Sequence, residues 1–129
     1  ENFLNPKNIE LFIDYYKKDY YQGVGEWMKF AKMIDAENTN ENQLNSYSWN
    51  IYENCDDKEV IQMACDWMKV AYGKDPSYAI TDTYAAVLYK SGNEDEAKIF
   101  AKKAIKIGED DGQDVKDTKA LLEKIKAKK

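Results

Sequence analysis

The sequence predicts an all-α chain: a stack of helical hairpins, about seven helices in all, closed by a C-terminal capping helix. Three observations carry the prediction. Apolar residues recur at three- and four-residue steps in segment after segment, the spacing that covers one face of a helix. No apolar/polar alternation of period two runs for a useful length, so no strand is indicated. Alanines also recur at a fixed distance: Ala64 and Ala97 are 33 residues apart, as are Ala71 and Ala104, and two such pairs in phase argue for a repeated unit.

The elements follow in chain order. Asn5-Pro6 opens the first helix with Pro in its first turn, and Ile9, Leu11, Phe12, Ile13, Tyr15 and Tyr16 give it a broad apolar face ending near Gly23. Trp27, Met28, Ala31 and Ile34 suit a short second helix, followed by a polar loop over residues 35–43. Leu44, Tyr47, Ile51 and Cys55, spaced 3, 4 and 4, mark a third. Asp56 with Glu59 has the form of a capping box opening the fourth, whose stripe is Ile61, Ala64, Met68 and Ala71 and whose end is Gly73. Asp75-Pro76 is expected to start the fifth helix as cap and first residue, with Tyr78, Thr81, Ala85 and Leu88 carrying it to Gly92. Asn93 with Glu96 is a second capping box, and Ala97, Ala101, Ala104 and Ile105 line the sixth helix opposite Lys98, Lys102, Lys103 and Lys106. An acidic turn over residues 108–112 then precedes a seventh amphipathic helix through Val115, Thr118, Leu122 and Ile125.

Composition excludes several function classes. The 129 residues fit one domain, 43% apolar at a mean hydropathy of -0.78, and no run nears the roughly 18 apolar residues of a membrane span. No membrane insertion is therefore expected. With no His, the usual general base and the commonest metal ligand are missing, and two Cys ten residues apart cannot build a four-ligand zinc site. No cofactor, metal or enzymatic role is expected. All nineteen cations are Lys, so bidentate guanidinium forks cannot be made. The first 60 residues hold six Lys against twelve acids and the remainder thirteen against twelve, and the Lys of residues 116–129 fit a solvated helix face, which argues against a nucleic-acid partner. The chain starts at Glu1 without Met, a basic leader or an apolar core of a signal, and reads as a piece of a longer protein.

Residues 78–109 resemble a tetratricopeptide repeat: Ala85 takes the small position of the first helix, Lys90-Ser91-Gly92-Asn93 the turn, and Ala97 and Ala104 the small positions of the second helix. Residues 45–77 share the frame through Ile51, Ala64, Ala71 and Pro76, but Tyr52 stands where a small residue is expected and Asp56-Asp57-Lys58 lacks the glycine of the turn. A weaker unit rests on Trp27-Met28-Lys29-Phe30-Ala31 echoing Trp67-Met68-Lys69-Val70-Ala71, with Val24 and Phe12 at positions normally small. The resemblance implies a single tetratricopeptide-like domain, with units at about 5–38, 45–77 and 78–110 and a capping helix at about 113–127. Small residues at crossing points would let neighbouring helices pack ridge into groove. More narrowly, Leu44-Asn45-Ser46-Tyr47-Ser48-Trp49-Asn50, Asp82-Thr83-Tyr84-Ala85 and Leu88-Tyr89-Lys90-Ser91-Gly92 resemble the helical tail that follows a thioredoxin-like domain in some bacterial proteins, over residues 40–125. That likeness leaves the compartment open, cytoplasmic or exported with such a domain.

The family resemblance implies a protein or peptide partner held on the concave surface of the first helices. By position that surface includes Ser46, Trp49, Glu53 and Asp56, then Ala79, Asp82, Ala86, Tyr89 and Lys90. The partner-binding set is Trp49, Glu53, Asp82, Ala86, Tyr89 and Lys90, the aromatics stacking on apolar side chains and the acids attracting a basic segment. The alternative is that Trp49 is core and the acids are solvated. Trp49, Glu53, Ala79 and Thr83 occupy the places where some members hold a C-terminal carboxylate with Lys, Asn and Arg, so that clamp is not expected.

Other clusters are weaker. Cys55 and Cys65 fall on facing helices, where a disulfide would be worth roughly 3 kcal/mol, but two independent buried thiols are the expectation, since Cys readily serves as a small core residue. Asp66 with Asp82 is a conceivable acid/base pair, as in an acidic hydrolase, but nothing in the sequence buries them together. Residues 109–114 lack the spaced ligands of a calcium loop, and the ten Tyr suit amphipathic filling between helices. The expected function is a non-enzymatic interaction module; the alternative is a structural or dimerising tail of a thioredoxin-like protein.

Overall fold

In the computed structural model, which describes residues 5–127, several helices start where a side chain accepts from the free amides of the first turn, as at Asn5, Asn40, Asp57 and Ser77, and some stop at a left-handed glycine, as at Gly25 and Gly92. The seven α-helices among the described residues are α1 (Pro6–Val24), α2 (Trp27–Ala31), α3 (Glu41–Asn54), α4 (Lys58–Lys74), α5 (Tyr78–Ser91), α6 (Glu94–Asp110) and α7 (Lys116–Ala127), with a 3-10 turn at Ala36–Asn38. No strand occurs among the described residues, so the all-α class is as expected. The chain divides into two compact units between Ile34 and Asp35.

In the first unit, Asn5 caps α1 by accepting from the Asn8 amide at 3.0 Å, with Pro6 at the start. The helix passes through Gly23 and ends one residue later, at Val24. Gly25, at φ 76°, supplies the left-handed cap that a side chain would strain. α2 spans only five residues, so the first unit does not contain two comparable helices.

The second unit is a run of antiparallel neighbours: α3 packs on α4, α4 on α5, α5 on α6 and α6 on α7, with α3 and α7 also touching α5. Its caps correct several expectations. Asp57, not Asp56, caps α4, its Oδ1 accepting from the Glu59 amide at 2.9 Å. α4 passes through Gly73 to Lys74, and Ser77, not Asp75, caps α5, leaving Pro76 outside the helix. Asn93 sits at the α6 cap without a side-chain capping bond, and its Nδ2 donates to Ser91 Oγ. α6 runs to Asp110, so Gly108 is helical and buried rather than the start of a turn.

The repeated alanines form the contact line of this unit. Ala64, Ala71, Ala85, Ala97, Ala101 and Ala104 are all buried, where a methyl group is all that two close helices admit. Ile51, Met68, Ile80 and Val87 fill the volume between them, and the rings of Tyr72, Tyr84 and Phe100 join α4, α5 and α6, with Tyr84 and Phe100 centroids 4.5 Å apart. Gly108 allows the closest approach: a Cβ there would press on Val115 Cγ1 and lie 2.9 Å from Tyr78 Cδ1. That approach brings the start of α7 onto α5, which sets up the groove described next.

Candidate functional site

The alternation of helices places α3, α5 and α7 side by side, and a groove of about 240 Å³ opens between them. Trp49 and Tyr52 of α3 form one wall, Asp82 and Ala86 of α5 the floor, and Asp117, Ala120, Leu121 and Lys124 of α7 the other wall. Each contribution follows helical spacing: residues three, four or seven apart share a face. Asp117 and Lys124 are two turns apart, about 10 Å along α7.

The Trp49 ring is 37% exposed, too much for a core residue, and lies against Tyr52 with centroids 5.0 Å apart and planes inclined by 39°. The two rings make a firm apolar platform, since Tyr52 is itself half-buried and held at its backbone. Lys90 provides that hold, donating through Nζ to the Tyr52 carbonyl at 2.6 Å, with Asp56 Oδ1 at 3.6 Å. Burial pushes the Tyr52 hydroxyl above its ordinary pKa, the charges of Tyr89 and Asp82 adding to the shift, so it remains a donor.

Asp82 is the chemical centre of the floor. Thr118 Oγ1 donates to Asp82 Oδ1 at 2.7 Å and lies 2.6 Å from the Tyr78 hydroxyl. A threonine hydroxyl carries one proton, so with Asp82 ionised the order is Tyr78 to Thr118 to Asp82. Burial raises the Asp82 carboxyl above its ordinary pKa, the Thr118 bond works against this, and Asp117 pushes it further up. No other hydrogen bond or ion pair among the described residues engages Asp82, which leaves its second oxygen open as an acceptor.

Of the six partner-binding residues expected from sequence, Trp49, Asp82 and Ala86 line the groove. Ala86 is 1% exposed and contributes only a flat patch of floor. Glu53, Tyr89 and Lys90 are not among the lining residues: Glu53 is exposed, Tyr89 is half-buried, and Lys90 ties the end of α5 to the end of α3. Tyr52 and the four residues of α7 went unrecognised. Reading α7 as a cap hid its place as the next helix in the row α3, α5, α7.

Other candidates resolve separately. Cys55 and Cys65 are both buried free thiols, the second pushed up to about 11 by burial. Asp66 is exposed and accepts from Gln62 Nε2, whereas Asp82 accepts from Thr118, so the two acids belong to different networks. Among the described residues no group of three or more His, Cys, Asp or Glu is placed to hold a metal ion, and no helix is long and apolar enough to cross a membrane. Comparison with known protein families, curated proteins and solved structures finds no match for this chain.

Proposed function

We propose that the second unit is a tetratricopeptide-like, non-enzymatic interaction module that takes a short peptide segment of a partner protein in the groove between α3, α5 and α7. The observation that carries this reading is the exposed Trp49 ring stacked on Tyr52 beside the open oxygen of Asp82. An aromatic platform supplies contact area at low entropic cost, and a part-buried acceptor fixes direction. Asp117 and Lys124, about 10 Å apart along the opposite wall, suit an extended segment of roughly three residues with a cation at one end and an acid at the other. An apolar side chain between them would rest on Trp49.

Selection from a displayed library of short random peptides against the 129-residue chain tests this. Enriched peptides should carry an aromatic or aliphatic residue between a Lys and an acidic residue, and Trp49→Ala should weaken them at least about tenfold, the scale of an aromatic anchor. The melting temperature should stay within a few degrees. Peptides that bind Trp49→Ala equally well, or no enrichment at all, would remove the groove from consideration.

The second reading, a structural tail of a thioredoxin-like redox protein, rests on the resemblance of residues 40–125 to such tails. It places a segment of the attached domain in the same groove. The coding frame upstream of Glu1 tests it: a thioredoxin-like domain with Cys-x-x-Cys supports this reading, and an unrelated domain removes it.

A further inference from the structure

We infer that α1 is a self-association helix: two copies of this chain pair their α1 helices antiparallel through a seam of Ile9, Ile13, Tyr16 and Tyr20. The inference concerns a surface outside the groove and goes beyond the peptide-binding reading.

The first observation is exposure. α1 has no buried residue, and Ile9, Ile13, Tyr16 and Tyr20 are 43%, 47%, 56% and 63% exposed. Large apolar side chains uncovered along a whole helix mark an interaction face. Caps at Asn5 and Gly25 define a rod of 19 residues, about 28 Å at 1.5 Å per residue, and most of a helix's stability in a protein comes from packing its apolar face. Spacing is the second observation. Within the broad apolar face of the helix, Ile9, Ile13, Tyr16 and Tyr20 follow steps of 4, 3 and 4, the spacing of a two-stranded coiled-coil seam. Phe12, packed edge-on against Tyr16 with centroids 4.7 Å apart, widens one side of it.

Charge identifies the occupant as a second copy. The helix carries Lys7, Glu10, Asp14, Lys17, Lys18 and Asp19, a net charge of zero, and none of them forms an ion pair among the described residues. Glu10 and Lys17 occupy the same flanking position one heptad apart, too far apart to meet within one helix. In an antiparallel pair with Ile13 opposite the second copy's Tyr16 and Ile9 opposite its Tyr20, Glu10 of each copy meets Lys17 of the other. Symmetry makes the contact twice. Parallel, in-register pairing would instead set Lys17 against Phe12 and Asp19 against Val24, with no charge matched. The helix is therefore complementary to itself in one orientation.

Sedimentation velocity of the 129-residue chain from about 1 to 300 µM, the range of a modest interface, tests the inference. The weight-average mass should rise from monomer towards dimer. Glu10→Lys and Lys17→Glu should each weaken association about tenfold, since both contacts become repulsive. An equimolar mixture of the two variants should recover it, because each Lys then faces a Glu across the heterodimer. Unchanged circular dichroism melting would show both variants folded. A monomer over the whole range overturns the inference, as does a mixture no stronger than its components or association unaffected by Ile13→Glu. A monomer that instead pellets with phosphatidylglycerol vesicles assigns the face to lipid and equally overturns it.

Discussion

α1 and α5 invert the usual relation between side-chain chemistry and burial. α1 exposes Leu11, Phe12 and Tyr16, whereas α5 buries Thr81 and Thr83 alongside Ile80, Val87 and Leu88. Intrinsic polarity does not separate them; neighbours do. α5 is flanked by α3, α4, α6 and α7, so nearly every direction around it meets another helix, and its small Ala85 and Ala86 let them come close. Polar residues survive there by bonding locally: Thr81 Oγ1 donates back to the Ser77 carbonyl at 2.6 Å. The lesson is that hydrophobic area stabilises a fold only where a neighbour covers it.

Truncating one leucine on each helix gives the largest contrast. Leu88→Ala removes a side chain 3% exposed and should cost about 2–5 kcal/mol, whereas Leu11→Ala, 61% exposed, should stay within about 0.5 kcal/mol at concentrations where the chain is monomeric. Urea denaturation at low micromolar protein reads both. Equal losses would mean α1 is held by packing its exposure does not reveal, and the contrast would fail.

Gly108→Ala tests how closely α5 is surrounded. Alanine normally favours a helix over glycine by about 1 kcal/mol, but here its methyl would press on Val115 and the Tyr78 ring. Overpacking should win, for a net loss of about 1–3 kcal/mol, while Gly73→Ala, with nothing near its added Cβ, should be neutral or stabilising. Thermal melts of the two variants moving in opposite directions would confirm that the approach of α7 onto α5 is limited at Gly108.

Gly108 also shows where sequence reasoning stopped. The helical period and the recurrent alanines were legible because both depend on spacing along one chain, and Ala64, Ala71, Ala97 and Ala104 are all buried. A glycine followed by acids has the local signature of a turn, and only the approach of Tyr78 and Val115 from elsewhere explains why it is helical. The same holds for caps: Asp56 and Asp57 are both good candidates, and the choice of Asp57 frees Asp56 to face Lys90. In the site, Trp49 and Asp82 were legible from the repeat frame. Tyr52 was not, because its size was read as a departure from the pattern rather than as the support under Trp49. Lys90 was misplaced for the opposite reason: an exposed-looking Lys at a helix end gives no sign that a carbonyl 38 residues away will accept its hydrogen bond.

Thr118→Val tests how α5 keeps a carboxylate at its edge. The substitution keeps the shape but removes the donor to Asp82 and the nearer partner of the Tyr78 hydroxyl, leaving that hydroxyl only the Asp114 carbonyl at 3.5 Å. Stranding part-buried polar atoms should cost about 1–2 kcal/mol, measured at neutral pH. Asp82 should also titrate higher than in the native chain, because the one interaction opposing burial is gone. An unchanged titration, followed through the carboxyl carbon resonance, would show that Thr118 does not govern the site.

The smallest and most specific effect belongs to Asp82→Asn. Burial, the largest influence, lifts the folded-state pKa of Asp82 above its unfolded value, with Thr118 opposing and Asp117 reinforcing. Between those two values the folded state holds more proton than the unfolded state, so stability falls as pH rises through the window and levels off above it. The contribution is thus fully present below the ordinary Asp range and absent at neutral pH, the reverse of a salt-bridged carboxylate. Asparagine keeps an acceptor for Thr118 without charge. Asp82→Asn should therefore raise the melting temperature at pH 7 by a few degrees, about 1 kcal/mol or less, and the gain should vanish in acid below the ordinary Asp range. A gain independent of pH would assign the effect to packing. A loss at pH 7 would mean that the ionised carboxylate is satisfied where it stands, and the polar edge of α5 would then be as well matched to its surroundings as its apolar faces.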